Sequence, residues 1–296
     1  MSETSLQRIV VGIEETERSR DALSLGAAIA KTLGARLLVV AAIEYVPLPI
    51  EAEDYDRARA EHFARIFEGV DEFLEDVPHQ LYELDLDVVG SLEEFAARES
   101  ADLIVIGSTH RGVLSRAVSG TIADRLLEET QCPLLVAPHG YAGREHAGFG
   151  TIGVGYDGSD GAVEALGVAE GLAKALGCEL RLIGAVPAYE DVPDPLRATR
   201  EGRYRESVGV GRRSVESVPV TETIEFGDAA RVLASEGLDL DLLVVGSRGH
   251  GRFLRTVLGS VASELVRIAP CPVLAVPHHA HRAEQGRTGA REGANA

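Results

Sequence analysis

The chain repeats itself, and the repeat constrains its fold more than any other feature. Residues 107–138 read GSTHRGVLSRAVSGTIADRLLEETQCPLLVAP, and residues 246–277 read GSRGHGRFLRTVLGSVASELVRIAPCPVLAVP. They align without a gap at an offset of 139, and Gly107, Ser108, Gly112, Arg116, Val118, Gly120, Ala123, Leu126, Cys132, Pro133, Leu135 and Pro138 all recur. Earlier, RIVVGIEETERSRDAL (8–23) matches TIGVGYDGSDGAVEAL (151–166) at an offset of 143. The 296 residues are therefore two copies of one domain of about 140 residues, a size suited to a single core. We read the first copy as residues 5–139 and the second as 150–278. The joint between them, 140–149, is Gly-rich and lacks periodicity. The tail, 279–296, is polar, as expected of a disordered terminus.

Each copy alternates strand and helix signals. RIVVGI and ARLLVVAAI are continuous apolar runs rich in β-branched residues, as strands buried on both faces should be. Between them SRDALSLGAAIAKTLG has helical spacing and ends at Gly34, a C′ glycine. A longer helical stretch, Tyr55 to Phe73, leads to a weak strand near Leu84–Val89. Ser91 with Glu94 then reads as a capping box for the next helix. DLIVIG, a helix from about Gly120 to Glu129, and PLLVAP complete the unit. The second copy follows with LRLIGAV, TETIEF, DLLVVG and PVLAVP, and Gly227-Asp228 opens its third helix. Strands separated by helices imply an α/β fold: two tandem doubly wound domains, each with a five-stranded parallel sheet.

Composition narrows the partners. Asp and Glu number 47 against 29 Lys and Arg, a net charge of −18, which argues against nucleic acid or an anionic membrane. Lys31 and Lys174 are the only lysines; all other basic residues are arginine. A carboxylate-rich, lysine-poor surface suits high salt, which screens self-repulsion, so the expected source is a halophilic archaeon. A high-GC genome would also favour arginine. No apolar run reaches 18 residues and MSETSLQRIV has no signal-peptide pattern, so a cytoplasmic protein is expected. Cys132, Cys178 and Cys271 form no CxxC pair, and this sparse, odd count fits a reducing compartment.

The strongest chemical signal is Gly246-Ser-Arg-Gly249-His-Gly251, directly after the run DLLVVG, with Gly259-Ser260 opening an apolar-periodic helix. Glycines after a parallel strand allow a tight turn and close approach of backbone N–H groups to a ligand. A helix N-terminus adds orphan donors and partial positive charge. Together they suit phosphates, with Ser260 Oγ as a further donor and Arg248, His250 or Arg252 as sources of charge. The plainer reading is a chain reversal between strand and helix. The second signal is Asp157, after IGVGY. Ligands of doubly wound sheets sit outside the strand C-termini where strand order reverses. A carboxylate there suits a ribose hydroxyl or the adenine amino group. Alone, Asp157 reads equally as an Asx-turn or helix cap, with Ser159 and Asp160 as other caps.

Gly153-Val-Gly155-Tyr-Asp-Gly158 satisfies G-x-G-x-x-G, but its first two glycines fall inside the strand, and Glu179 begins strand two where a Rossmann acid should end it. A Walker A loop is excluded, because neither lysine follows a suitable glycine pattern. His278, His279 and His281 at the start of the tail are weak metal candidates. Cys132 and Cys271, each before a proline, read as structural.

The spacing G-x2-G-x9-G-[ST] at Gly246, Gly249, Gly259 and Ser260, with Asp157 and CPVLAVP, resembles the universal stress protein family. The resemblance implies strand order 3-2-1-4-5, the adenine nucleotide alpha hydrolase-like arrangement, and, in one branch, ATP binding, with Mg2+ left open. By matching position, Asp157 and the Ala185 backbone would contact adenosine, and Val245 and Gly246 would line the site. Gly249, Gly259, Ser260 and Val261 would hold ribose and phosphates. Members pair along the last strand, so PLLVAP and PVLAVP are expected to pair within one chain, with a homodimer left open. Copy one departs from the pattern: Glu14 stands at the place of Asp157 and His110 at that of Gly249. No residue set supplies a general base. The reading is a stress-response protein binding ATP or a related adenine nucleotide in its second domain. The alternatives are a non-nucleotide interaction module of the same fold and an ATP-using enzyme of a related α/β class.

Overall fold

A computed structural model describes residues 6–43, 52–85, 88–108, 122–144, 148–187, 194–247 and 259–278. In the first half the order is β1 (Arg8–Ile13), α1 (Glu17–Leu33), β2 (Arg36–Ile43), α2 (Ala52–Phe67), α3 (Val70–Phe73), β3 (His79–Asp85), α4 (Val88–Arg98), β4 (Leu103–Gly107), α5 (Ile122–Glu129) and β5 (Leu134–Ala137). The second half runs β6 (Thr151–Gly155), α6 (Asp160–Leu176), β7 (Glu179–Val186), α7 (Asp194–Ser214), β8 (Val220–Phe226), α8 (Ala229–Glu236), β9 (Leu242–Gly246), α9 (Ser260–Ile268) and β10 (Val273–Val276). Among the described residues no helix is long and apolar enough to cross a membrane.

All ten strands form one sheet in the order β3-β2-β1-β4-β5-β10-β9-β6-β7-β8. Each half has the order 3-2-1-4-5 with parallel neighbours, as the alternating strand and helix signals imply. The halves meet through β5 and β10, which pair antiparallel. The apolar runs explain the centre of the sheet: Val10 and Val11, on opposite faces of β1, are both fully buried. Two apolar layers result, and each draws on both halves. One holds Ile9, Val11, Phe63, Leu135, Val154, Val208 and Leu274 under α1, α2, α6 and α7. The other holds Val10, Phe95, Leu126, Leu134, Val245, Leu265 and Val273 under α4, α5, α8 and α9.

Helix ends follow local chemistry. Gly34 and Gly177 close α1 and α6 in the left-handed region, at φ 68° and 71°, where a side chain would be strained. Asp228 caps α8 by accepting from the Arg231 amide. Three sequence expectations need correction. β3 is His79–Asp85, earlier than Leu84–Val89, because its edge position gives it alternating character in place of an apolar run. Ser91 lies inside α4 and is not its N-cap residue: the apolar stripe Val89, Leu92, Phe95 and Ala96 starts before it and draws the helix back to Val88. The helical stretch up to Phe73 is two helices, broken at Gly69 with φ 75°.

A clamp that sequence reading missed recurs in both halves. Asp102 Oδ2 accepts from the amides of Gln7 and Arg8 at 2.8 and 2.9 Å, and Asp241 Oδ2 accepts from those of Gly150 and Thr151 at the same distances. A carboxylate before the fourth strand thus fixes the start of the first. We expect Asp241→Ala to lower unfolding free energy by about 2 kcal/mol, because two charge-assisted hydrogen bonds to one carboxylate oxygen are lost at once. Urea denaturation checks this, and an unchanged midpoint would show that solvent replaces the clamp without cost.

Residues 140–144 of the joint are held by specific bonds. Gly140 and Ala142 donate their amides to the Asp21 carboxylate of α1 at 2.9 and 2.8 Å, Tyr141 is buried, and Arg144 donates to the Pro270 carbonyl at 2.6 Å. The joint is therefore fastened to both halves. At the matching place in the second half, Glu164 of α6 pairs with His278 at 3.0 Å. Among the described residues no cluster of three metal-ligating side chains forms; His279, His281 and the rest of the tail lie outside them.

Candidate functional site

In the second half, β6 and β9 are neighbours in parallel register, Val154 against Val244. Asp157 follows the end of β6 by two residues and Ser247 the end of β9 by one, so both leave the C-terminal ends of neighbouring strands. The Gly259 amide donates to the Ser247 carbonyl at 2.9 Å. This bond brings the start of α9 back to the end of β9. Gly259 is the N-cap residue, Ser260 and Val261 are the first two helical residues, and Ser260 is exposed. Among the described residues no acceptor meets the Ser260 and Val261 amides, as for other first-turn donors, and the partial positive charge of the helix lies behind them.

Gly259, which the resemblance sets at the ribose and phosphates, donates its N–H to the Ser247 carbonyl and so also closes the base of the loop. Asp157 Oδ1 accepts from the Ser159 amide at 2.9 Å and from Ser159 Oγ at 2.6 Å, and Ser159 Oγ accepts from the Ala162 amide as the cap of α6. The Asx-turn and the capping role are thus both present. Tyr156 is buried over Gly211 of α7, and its phenol pKa is raised by burial and then by the Asp157 carboxylate. Ala185, in β7, is partly exposed; Val245 is buried and Gly246 ends β9. Arg248, Gly249, His250 and Arg252 lie outside the described residues. Gly153 and Gly155 lie within β6 and Glu179 starts β7, so the G-x-G-x-x-G pattern has no Rossmann context.

The first half shows the corresponding crevice as a cavity of about 80 Å³. Its lining includes Gly12, Glu14, Ala42, Ile106, Gly107 and Ile122. By the two repeat offsets, these are the counterparts of Gly155, Asp157, Ala185, Val245, Gly246 and Val261. The chemistry differs at the acid. Glu14 Oε1 accepts from Thr16 Oγ1 at 2.9 Å and pairs with the Arg18 guanidinium at 3.3 Å. The second half has Gly161 where Arg18 stands. A Cβ on Gly107 would sit 2.3 Å from the Arg18 carbonyl, so this glycine is required by the packing of α1 against β4. His110, Gly120 and Thr121 lie outside the described residues.

Cys132 and Cys271 are placed at strand entrances as structural thiols. Burial, reinforced by the Asp102 carboxylate, pushes the Cys132 pKa up to about 12, and burial pushes that of Cys271 to about 12 as well. Neither is a nucleophile near neutral pH.

Fold and rim together define a tandem doubly wound α/β protein with a crevice at the strand C-termini of its first half. The family model described as "Universal stress protein family" matches residues 5–138 and 148–277, and the chain belongs to that family. Universal stress protein Rv2005c of Mycobacterium tuberculosis is 29% identical over 180 residues, covering 59% of this chain and 61% of that protein. Universal stress protein Rv2624c of the same organism is 34% identical over 137 residues, covering 45% of this chain and 50% of the relative. The matches thus span about three fifths or less of these relatives' length. Among solved structures, a universal stress protein from Archaeoglobus fulgidus superposes with a TM-score of 0.71 at 21% identity, covering 94% of this chain and all of that one.

Proposed function

We propose that the second domain binds ATP or a related adenine nucleotide, and that the protein serves in the cytoplasm as a stress-response regulator with little catalysis of its own. What supports this reading is a carboxylate just beyond β6 together with the N-terminus of α9, which the Gly259–Ser247 bond holds at the end of the neighbouring β9. An acid suits ribose or adenine and amides suit phosphate, so the two together favour a nucleotide over either part alone. Asp157, Ala185, Val245 and Gly246 would surround adenosine. Ser260, Val261 and, from the loop outside the described residues, Arg248 and Gly249 would meet the phosphates. Mg2+ could accompany the phosphates without a dedicated protein cage. In the first half, Arg18 already neutralises Glu14, which leaves less of the carboxylate for a sugar or base. Isothermal titration with ATP is expected to give one site per chain. Two equal sites, or none, would overturn the proposal.

The acidic, lysine-poor composition supports a further reading, that the chain is adapted to high salt. The expected result is a thermal midpoint that rises by about 10 °C between about 0.1 M and about 2 M KCl. Equal midpoints would leave the arginine preference to genome composition.

A further inference from the structure

The seam between the halves carries a charge arrangement that its symmetry does not require. Across β5 and β10, Leu135 lies opposite Leu274, Leu134 opposite Ala275 and Val136 opposite Val273. At the repeat offset Leu274 is the counterpart of Leu135, so a local twofold axis passes between them. Every contact across such an axis has a twin in which the two halves exchange roles. Arg267 of α9 donates to Asp124 Oδ2 of α5 at 2.7 Å, and Asp124 is only 5% exposed. The counterpart of Asp124 is Ser263, and that of Arg267 is Glu128. The twin positions therefore hold a serine and a glutamate, which cannot form that ion pair.

We propose that this seam selects an unlike half as its partner and rejects a second copy of the same half. Two first halves paired this way would set Asp124 against Glu128 twice, placing a nearly buried carboxylate beside another. Two second halves would set Arg267 against Ser263 twice and leave both guanidinium groups without their acid. Only the unlike combination sets Arg267 against Asp124. Strand packing points the same way. In the unlike pairing, Leu134 meets the small Ala275 and Val136 meets Val273. Two first halves would oppose Leu134 to Val136 twice and overfill the layer, while two second halves would oppose Val273 to Ala275 twice and underfill it. A buried ion pair adds little net stability over an apolar pair, but stranding one member is costly, so its effect falls on the choice of partner. The fitting partner is a half of this fold with a cation at the Arg267 place and small residues at the Ser263 and Ala275 places. The other half of this chain has all three.

The test exchanges twin residues in the full chain. Asp124→Ser with Glu128→Arg gives both halves the serine and arginine arrangement, and should lower the thermal midpoint by about 5 °C or more. Adding Ser263→Asp and Arg267→Glu moves the ion pair to the twin position and should recover at least half of that loss. A first exchange that melts within about 1 °C of the parent overturns the proposal. So does a full exchange that is no more stable than the first, or that does not fold.

Discussion

Asp157→Asn is expected to weaken ATP binding by about 10- to 100-fold while leaving the fold intact. The substitution separates two roles of one side chain. The Asp157 Oδ1 atom accepts from the amide and hydroxyl of Ser159, and an asparagine carbonyl accepts both in the same geometry. The turn into α6 therefore survives, and Ser159 still caps the helix. What disappears is the negative charge and one acceptor, the features a ribose hydroxyl or an adenine amino group would use. Glu14→Gln, at the matching place in the first half, should leave ATP affinity within about twofold, because the Glu14 carboxylate is directed to Thr16 and Arg18. Titration calorimetry with ATP reads the affinity, and a melt of each variant reads the fold. If Asp157→Asn binds as tightly as the parent, the carboxylate is only a turn former. The amides of α9 would then have to hold the ligand alone.

Alkaline pH should destabilise the protein steeply, chiefly through two thiols. Cys132 and Cys271 hold their protons up to about 12 in the folded chain, against 9.0 when unfolded. The folded state thus binds more protons than the unfolded state between these values, and stability falls as pH rises through that window. Each thiol contributes on the order of 3 kcal/mol by its upper end. Tyr141, buried in the joint beside Asp241, is raised to about 12 from 10.0 and adds to the loss in the same direction. Below pH 9 these groups are protonated in both states and contribute no slope. Urea midpoints measured from pH 8 to about pH 11 should fall progressively, and Cys132→Ala with Cys271→Ala should remove most of the slope. A slope unchanged in the double variant would move its origin to other groups.

The parts of the fold that were legible are those where burial on both faces wrote itself into the sequence. β1, β4 and β9 are unbroken apolar runs because each lies between two strands and two helix layers. Edge strands left a fainter mark. β3 alternates and was displaced by several residues, since a half-exposed strand shares its letters with a helix start. Ser91 and Glu94 satisfied a capping pattern inside a helix whose apolar stripe had already begun at Val89, so packing outweighed the local motif. The positions of Asp157 and Ser260 were legible, because strand ends and helix starts fix where they fall. The bond from Gly259 to Ser247 was not legible, since it depends on how a loop closes. Asp102 and Asp241 carried a signal that comparing the two copies would have exposed: the same acid one residue before the same strand. The unlike twins at 124, 128, 263 and 267 were hidden by the opposite circumstance, because repeat alignment rewards identity and passes over difference.

The antiparallel meeting of β5 and β10 has a consequence for anything that reads this protein. Strands of the two halves run in opposite directions, so the C-terminal ends of β1 and β4 lie along one margin of the sheet and those of β6 and β9 along the other. Two occupants, one per half, would sit at opposite margins of the sheet. The molecule has two poles, one presenting Asp157 and the α9 amides and the other the Glu14–Arg18 pair. A partner that senses occupancy at one pole would meet a chemically different surface if it approached from the far side.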